Sequence, residues 1–510
     1  MIPIRPSAAL LFILAPLLSF AAPTFKNTAV VKTIDLQGPI TTETTTYTAQ
    51  LIRLDPGEST ATEFEVIVGN DEHMRAGWFE AREKKAGKLG DELAWRKGGK
   101  IEGSSAHSYI ITLPIPLQID SSITLTTTFV LTDSVTPKPA TIAQNEDQYL
   151  LWKGDAGILS AYEMEIGRVK IKSPTPQILS YSEPPTAYTQ SNPITKSGAV
   201  LTLGPYHSVP ALTSTLSVAP FEVHYRFNDP VISVKELKRA VEVSHWGNNL
   251  NIEDKITLSN TGPNLKGHFS RIDYMRSKSQ RKFPAQVLSD LTMRLPPKIQ
   301  VPYVYDTIGN VSTTHFRHSV SSERYATKIR AASRLPVPHE KEESVLEMRP
   351  RYPIMGGWDY NFTIGWDQSL SESLRKTVDG QWVLGVGFLT ALQGVQYESI
   401  QWDVILPEGA RDISVELPFP TDTAPEKYTH TTYLDTLGRP AVRVIKERCT
   451  EQCAVPVYVK YTLPVQANLQ KPLAVTVAAL SFFVGAMALK RALPSDRHRG
   501  GVAIKEVKKQ

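Results

Sequence analysis

The chain has 510 residues, 41% of them hydrophobic and 21% charged, with 56 Lys and Arg against 51 Asp and Glu, 37 Pro and 2 Cys. That composition excludes a disordered chain, which combines low hydrophobicity with high net charge, and a disulfide-dense scaffold, whose Cys content exceeds roughly 8%. At roughly 150 residues per domain the length fits two large or three smaller domains, enough for sizeable cores.

In chain order, Arg5 precedes the apolar run 8–18, and Ser19-Phe20-Ala21 supplies small residues where a signal peptidase reads, so residues 1–21 read as a secretory signal peptide. Alternating rows follow, the period-2 mark of half-buried strands: Phe64, Val66 and Val68; Ile123, Leu125, Thr127, Phe129 and Leu131; Phe221, Val223, Tyr225 and Phe227; and Val455, Val457, Val459 and Tyr461. Helical content before the apolar segment near the C-terminus is expected to be modest, with the best candidates around 78–93, where charged helix formers surround a few apolar residues, and around 283–294. The Pro-, Ser- and Thr-rich stretches 174–185 and 191–210 read as linkers or long edge loops, and a change of character near 234–243 marks the join between two units. A charged insertion is expected at 319–344. Residues 472–489 (PLAVTVAALSFFVGAMAL) carry no charge and are followed by Lys490-Arg491, which reads as one membrane span.

The expected fold is mainly β. It comprises two lumenal β-sandwich-like domains with minor helix (22–237 and 238–471), one transmembrane helix (472–489) and a basic cytosolic tail (490–510). The tail holds seven Lys and Arg against two acids, which equals the whole formal +5. The charge is therefore a topology signal, and no nucleic-acid partner is expected.

Chemical motifs are sparse. Gly385-Val386-Gly387 begins a glycine-rich pattern but lacks its third glycine, and no G-x-S-x-G elbow occurs. His315 and His318 read as a surface pair, and His339-Glu340 as part of a solvated charge run. Cys449 and Cys453 are the only cysteines; a local disulfide closing a turn is preferred over a redox pair, because no thioredoxin-like unit accompanies them. Two sequons, Asn310-Val311-Ser312 and Asn361-Phe362-Thr363, mark candidate glycan sites. Asn361 lies among Trp358, Tyr360 and Phe362, which predicts burial or rapid folding and favours Asn310.

The run Val241-Glu242-Val243-Ser244-His245-Trp246-Gly247-Asn248 resembles the signature of the ribophorin I family. Further blocks agree in order: Lys266-Gly267-His268-Phe269-Ser270-Arg271-Ile272-Asp273-Tyr274, Ile308-Gly309-Asn310-Val311-Ser312-Thr313 and Arg349-Pro350-Arg351-Tyr352-Pro353-Ile354-Met355-Gly356-Gly357-Trp358. They are followed by Ile405-Leu406-Pro407-Glu408-Gly409-Ala410 and Tyr433-Leu434-Asp435-Thr436-Leu437-Gly438-Arg439-Pro440. Before residue 200 the likeness is fainter. The 319–344 insertion is longer than the family pattern, and Cys449 and Cys453 match no family motif.

The resemblance implies a noncatalytic subunit of the oligosaccharyltransferase complex in the endoplasmic reticulum membrane. That complex transfers a preassembled oligosaccharide from dolichyl diphosphate to Asn in N-x-S/T. The implied partners are the polytopic catalytic subunit, small membrane subunits, nascent polypeptides, the lipid bilayer and, as a further candidate, the translocon. No cofactor is implied for this chain, since a divalent metal and the lipid-linked sugar belong to the catalytic subunit. A membrane-anchored lumenal hydrolase and a cell-surface β-sandwich receptor are the competing readings. The motif residues Trp246, Gly247, Asn248, Gly356, Gly357 and Trp358 are expected to be turns with buried aromatics, and Arg271, Asp273, Gly438, Arg439 and Pro440 to secure the fold.

Overall fold

The computed structural model describes residues 24–492 apart from 55–58, 86, 102–103, 156, 184–187, 190–192, 213–219, 281–282, 301, 319–343, 390–391, 393, 434 and 436. The signal segment, nearly all of the insertion and the tail after Ala492 lie outside the described residues. The first unit is built on an eight-stranded sheet. At its centre, Thr24–Gln37 and Ile40–Arg53 form a hairpin, with Met164–Lys172 parallel to the first strand and Ser122–Thr132 antiparallel to the second. Every second residue of Thr24–Gln37 faces the interior once the irregularity at 27–29 is passed, as the pleat requires. Two smaller sheets cover this face. The three-stranded sheet of Ala61–Val68, His107–Leu117 and Trp95–Lys100 encloses a core around Phe25, Phe64, Tyr109 and Phe129. The four-stranded sheet of Ile178–Tyr181, Pro220–Arg226, Tyr149–Asp155 and Val135–Pro137 encloses another around Ile34, Trp152, Phe221 and Tyr225.

The second unit repeats this plan. Its seven-stranded sheet centres on the hairpin Ile232–Ser244 and Asn249–Asn260, with Gln396–Ile405 parallel to the first strand and Asp359–Ser369 antiparallel to the second. A three-stranded sheet (Leu291–Leu295, Ser344–Met348, Thr314–Arg317) and a four-stranded sheet (Leu374–Lys376, Trp382–Gly387, Pro456–Thr462, Arg411–Glu416) share its core. Within both covering sheets the strands follow the same order along the chain as in the first unit.

Backbone and amide side chains hold the units together. Thr141–Ile142 pairs in parallel with Asn264–Leu265. Fully buried Gln286 donates to the carbonyls of Ala143 and Gln144 (2.9 and 3.0 Å), and Gln396 donates to Asp133 while accepting from its backbone N–H (2.5 and 2.9 Å). The chain then enters helix Val465–Ala492, which is long and apolar enough to cross a membrane and spans about 42 Å at 1.5 Å per residue.

Four sequence expectations need correction. The described residues of 78–93 are not helical: most lie in strands Ala76–Lys85 and Lys88–Glu92, because Phe79 and Ala81 pair with Phe129 and Thr127 and their burial outweighs local helix propensity. Residues 283–294 lead into strand Leu291–Leu295, whose Leu291, Met293 and Leu295 are buried in alternation; the helix lies earlier, at Arg271–Ser279, capped by Ser270 Oγ accepting from Asp273 N–H. The stretch 191–210 is mostly strand, Ile194–Ser197 and Val200–Val209, at the edge of the eight-stranded sheet. A join at 237/238 would cut strand Ile232–Ser244; the chain changes sheet at 227–231.

Candidate functional site

A cleft of about 270 Å³ opens between the units. One wall is Trp78, Phe79, Trp95 and Tyr109 of the first unit, and the other is Pro418, Phe419 and Lys446 of the second. The aromatic wall follows from strand pairing, which sets Phe79 at 4.4 Å from Phe129 and 4.7 Å from Trp95, ring centre to ring centre. Charges of both signs stand at its rim: Lys97 and Arg448 against Glu92, Asp422 and Glu447. His73 stacks on His107 at 3.8 Å, and its Nδ1 is 2.9 Å from Tyr109 Oη. Burial, with the neighbouring His107, lowers His73 to about 4, so it is neutral near pH 7. Phe79, Tyr109 and Phe419 are buried and only Trp78 and Trp95 keep partial exposure, so the cleft offers mainly polar surface of mixed charge.

A second polar cluster lies inside the first unit. Lys32 Nζ lies 2.9 Å from Glu43 and 2.5 Å from Glu72, all three nearly removed from solvent. Burial and the adjacent Glu72 carboxylate push Glu43 up to about 8, despite Lys32. Burial would also raise Glu72, but Lys32 and hydrogen bonds hold it below its ordinary value. Burial, then Glu72, raises Asp155 beside them to about 6. One cation thus serves two carboxyls, and Glu43 keeps its proton near neutrality. Among the described residues no three His, Cys, Asp or Glu side chains group so as to hold a metal.

The structure gathers the motif blocks into two places. One is the seam. Ser270, at the cap of the helix carrying Arg271 and Asp273, exchanges hydrogen bonds with Gln144 of the first unit (2.8 and 3.0 Å). Gly356 sits so close to Pro263 that a Cβ would lie 1.9 Å from its carbonyl oxygen, and Gly357 has φ +80°. Trp358 is half-buried against Phe269 and Tyr352. Arg351 pairs with Asp306 through two bonds (2.7 and 2.9 Å), and Asp306 also accepts from the N–H groups of Ile308 and Gly309, which fixes the turn carrying Asn310. That Arg351 hydrogen bond holds Asp306 well below the usual carboxylate range, against its burial.

The other place is the base of the apolar helix. Val243, Trp246, Pro407, Glu408, Arg439 and Ala467 line a cavity of about 110 Å³, so three motif blocks meet the first turn of the helix. Gly438 takes φ +83°, Arg439 pairs with Glu242 and Asp435, and the Pro440 carbonyl accepts from Leu406 N–H. Trp246 was expected to be buried; it is 71% exposed, because the turn Ser244–Asn249 points it away from the core. Asn310 and Asn361 are both exposed; Asn361 is on the outer face of strand Asp359–Ser369 while its aromatic neighbours Tyr360 and Phe362 face inward, so burial gives no preference for Asn310. Cys449 and Cys453 are bonded, joining the end of strand Arg439–Cys449 to the short turn Glu451–Cys453. Sequence reasoning missed Lys32, Glu43, Glu72 and the cleft aromatics; a Lys and a Glu at inward positions of Thr-rich strands were the available signal.

Two β units of one plan, joined by a buried seam and followed, among the described residues, by one apolar helix long enough to cross a membrane, define a two-unit β protein. The family model described as Ribophorin I matches residues 25–490, and the chain belongs to the Ribophorin I family. The dolichyl-diphosphooligosaccharide–protein glycosyltransferase subunit 1B of Arabidopsis thaliana is 32% identical over 380 residues, 74% of this chain and 74% of that protein. Subunit 1A of the same plant is 27% identical over 489 residues (95% and 73%), and subunit 1 of Caenorhabditis elegans is 28% identical over 466 (91% and 72%). Among solved structures, native yeast LTA4 hydrolase aligns with 42% of this chain and 31% of its own at 8% identity and a TM-score of 0.24, too slight a likeness to inform fold or function.

Proposed function

We propose that this chain is an accessory, noncatalytic subunit of the oligosaccharyltransferase complex of the endoplasmic reticulum. In this reading the helix Val465–Ala492 holds it in the membrane, the two β units stand in the lumen beside the polytopic catalytic subunit, and the tail is cytosolic. The single observation that carries the reading is the family match over 25–490, together with relatives named as subunits of that glycosyltransferase. Lys490 and Arg491 in the last turn of the helix support the orientation, since positive flanks stay on the cytosolic side. The subunit scaffolds the complex and holds nascent chains near the catalytic partner. The cleft between the units supports that role, being concave and mixed in charge, with Trp78 and Trp95 partly exposed in it.

Affinity purification of the tagged full chain in mild detergent tests the membership. Co-purification of the polytopic glycosyltransferase subunit in near-equal amount is the expected result. Recovery of the chain without that partner, or with hydrolase activity of its own, contradicts it.

A further inference from the structure

Trp246 is out of place for a folded β protein. The turn that carries it is internally satisfied: Gly247 N–H donates to Ser244 Oγ (3.2 Å), Asn248 N–H donates to the His245 carbonyl (3.4 Å), and Asn248 Nδ2 donates to Ser369 Oγ (3.2 Å). Asn248 takes φ +47°, a conformation Asn tolerates. The turn is therefore fixed by small polar groups, and the indole is not used to pack it. Two more large side chains share this rim. Leu437 is 77% exposed, and its N–H donates to Glu408, which lines the same cavity as Trp246; Tyr433 is 93% exposed in the same loop. Val465 and Leu469, in the first turns of the helix, are also exposed.

The helix says what covers this rim. Gly409, next to Glu408, is packed so closely on the helix that a Cβ there would lie 2.5 Å from Ala467 Cβ. Ala467 lies five residues before Pro472, where the uncharged run begins. At 1.5 Å per residue that is about 7 Å along the helix axis, roughly the thickness of one headgroup layer between the 30 Å hydrocarbon core and the 40–45 Å total. Trp246, beside Ala467, stands at the depth where Trp and Tyr collect in membrane proteins, with an apolar ring for the acyl boundary and an N–H for the wet side.

We propose that the β body stands on the bilayer through a second contact besides its helix: Trp246, Tyr433 and Leu437 lie in the lipid headgroup layer around the helix base and fix the angle at which the units rise from the membrane. The occupant is lipid, because the rim is continuous with the membrane-entering helix. The inference needs only that the helix crosses a bilayer, and it stands or falls separately from the role in N-glycosylation.

The test uses the full chain in nanodiscs of phosphatidylcholine, with and without bromine on the acyl chains near the headgroup. Brominated lipid quenches part of the wild-type Trp emission, and Trp246→Phe loses that quenching while the remaining Trp emission is unchanged. Since the only two cysteines are bonded to each other, Leu437→Cys carrying an environment-sensitive dye gives an independent reading, with quenching by the same lipids. Equal quenching of wild type and Trp246→Phe, together with an unquenched dye at 437, overturns the proposal. So does quenching in the isolated chain that vanishes in the purified complex, which makes the rim a protein-binding surface.

Discussion

In the second unit, Arg239 lies five residues before the end of the first hairpin strand and directly opposite Asp254, to which it donates two bonds of 2.6 Å. Its remaining nitrogen donates to the Gly387 carbonyl at the end of a strand of the four-stranded covering sheet. In the first unit, Lys32 lies at the same step of the equivalent strand, opposite Thr45, and its carboxyls come from elsewhere: Glu43 two residues along the partner strand and Glu72 on the helix Asn70–Arg75. Asp155 ends the strand that corresponds to the one ended by Gly387. One plan therefore places a buried cation at one position twice. In the second unit it closes one to one, within a core that continues across it through Leu237 and Val241. In the first it is outnumbered by carboxyls and separates two cores, with Val30 on one side and Ile34 on the other. The first unit thus carries its charge imbalance between its two cores.

Breaking the one-to-one pair has the largest expected effect. Arg239→Met leaves Asp254 buried and uncompensated and costs about 3–5 kcal/mol, read as a fall in the denaturation midpoint of the full chain. Arg239→Met with Asp254→Leu recovers most of it. A loss below about 1 kcal/mol for the single variant contradicts a buried charge pair. Lys32→Met costs less, about 2–3 kcal/mol near pH 7, because Glu43 already holds a proton there and only Glu72 is stranded. Glu72→Gln in the same background restores most of that loss.

The comparison also predicts a pH dependence. Glu43 keeps its proton up to about pH 8 in the folded chain, whereas unfolded it releases it near 4.5, so the native state binds more protons in that window. Stability of the first unit therefore falls as pH rises from about 6.5 to 8, by at most about 1.4 kcal/mol per pH unit for one proton; below about 6.5 His73, lowered to about 4, acts in the opposite sense. Asp155, raised to about 6, adds the same sign at the acid end. Glu72, held low, acts in the opposite sense only as pH falls below its unfolded value. Glu43→Gln flattens the slope, and a midpoint that climbs from about pH 6.5 to 8 contradicts the shared-proton account.

The smallest effect is at the surface. Both sequons lie in the second unit, and both asparagines are exposed. Asn310→Gln and Asn361→Gln each remove one glycan's mass from the endoglycosidase-sensitive form, with stability changed by less than about 0.5 kcal/mol. A variant that keeps its full mass shows that the site is unused.

The strands were legible because alternation survives wherever one face is buried: Phe64, Val66 and Val68 and Ile123 to Leu131 read directly as rows. The helix expected at 78–93 failed where pairing with a long central strand outweighed the helix preference of Glu, Lys and Ala. The Arg271–Ser279 helix went unseen because none of its residues is buried, so no apolar period marks it. The duplication is invisible in composition because corresponding positions need only the same burial, as Lys32 and Arg239 show. The motif blocks were found by resemblance, yet their roles emerged only in three dimensions: Arg351 reaches across the chain to Asp306, and Trp246 faces outward.

The most direct test of the central claim is the occupancy of N-x-S/T sites in secretory glycoproteins after depletion of this chain, followed by rescue. The account predicts that occupancy falls on depletion and returns with the wild-type chain. It also predicts that occupancy stays low with a cleft variant, Trp95→Ala, that still co-purifies with the catalytic subunit. Occupancy unchanged by depletion would contradict the account.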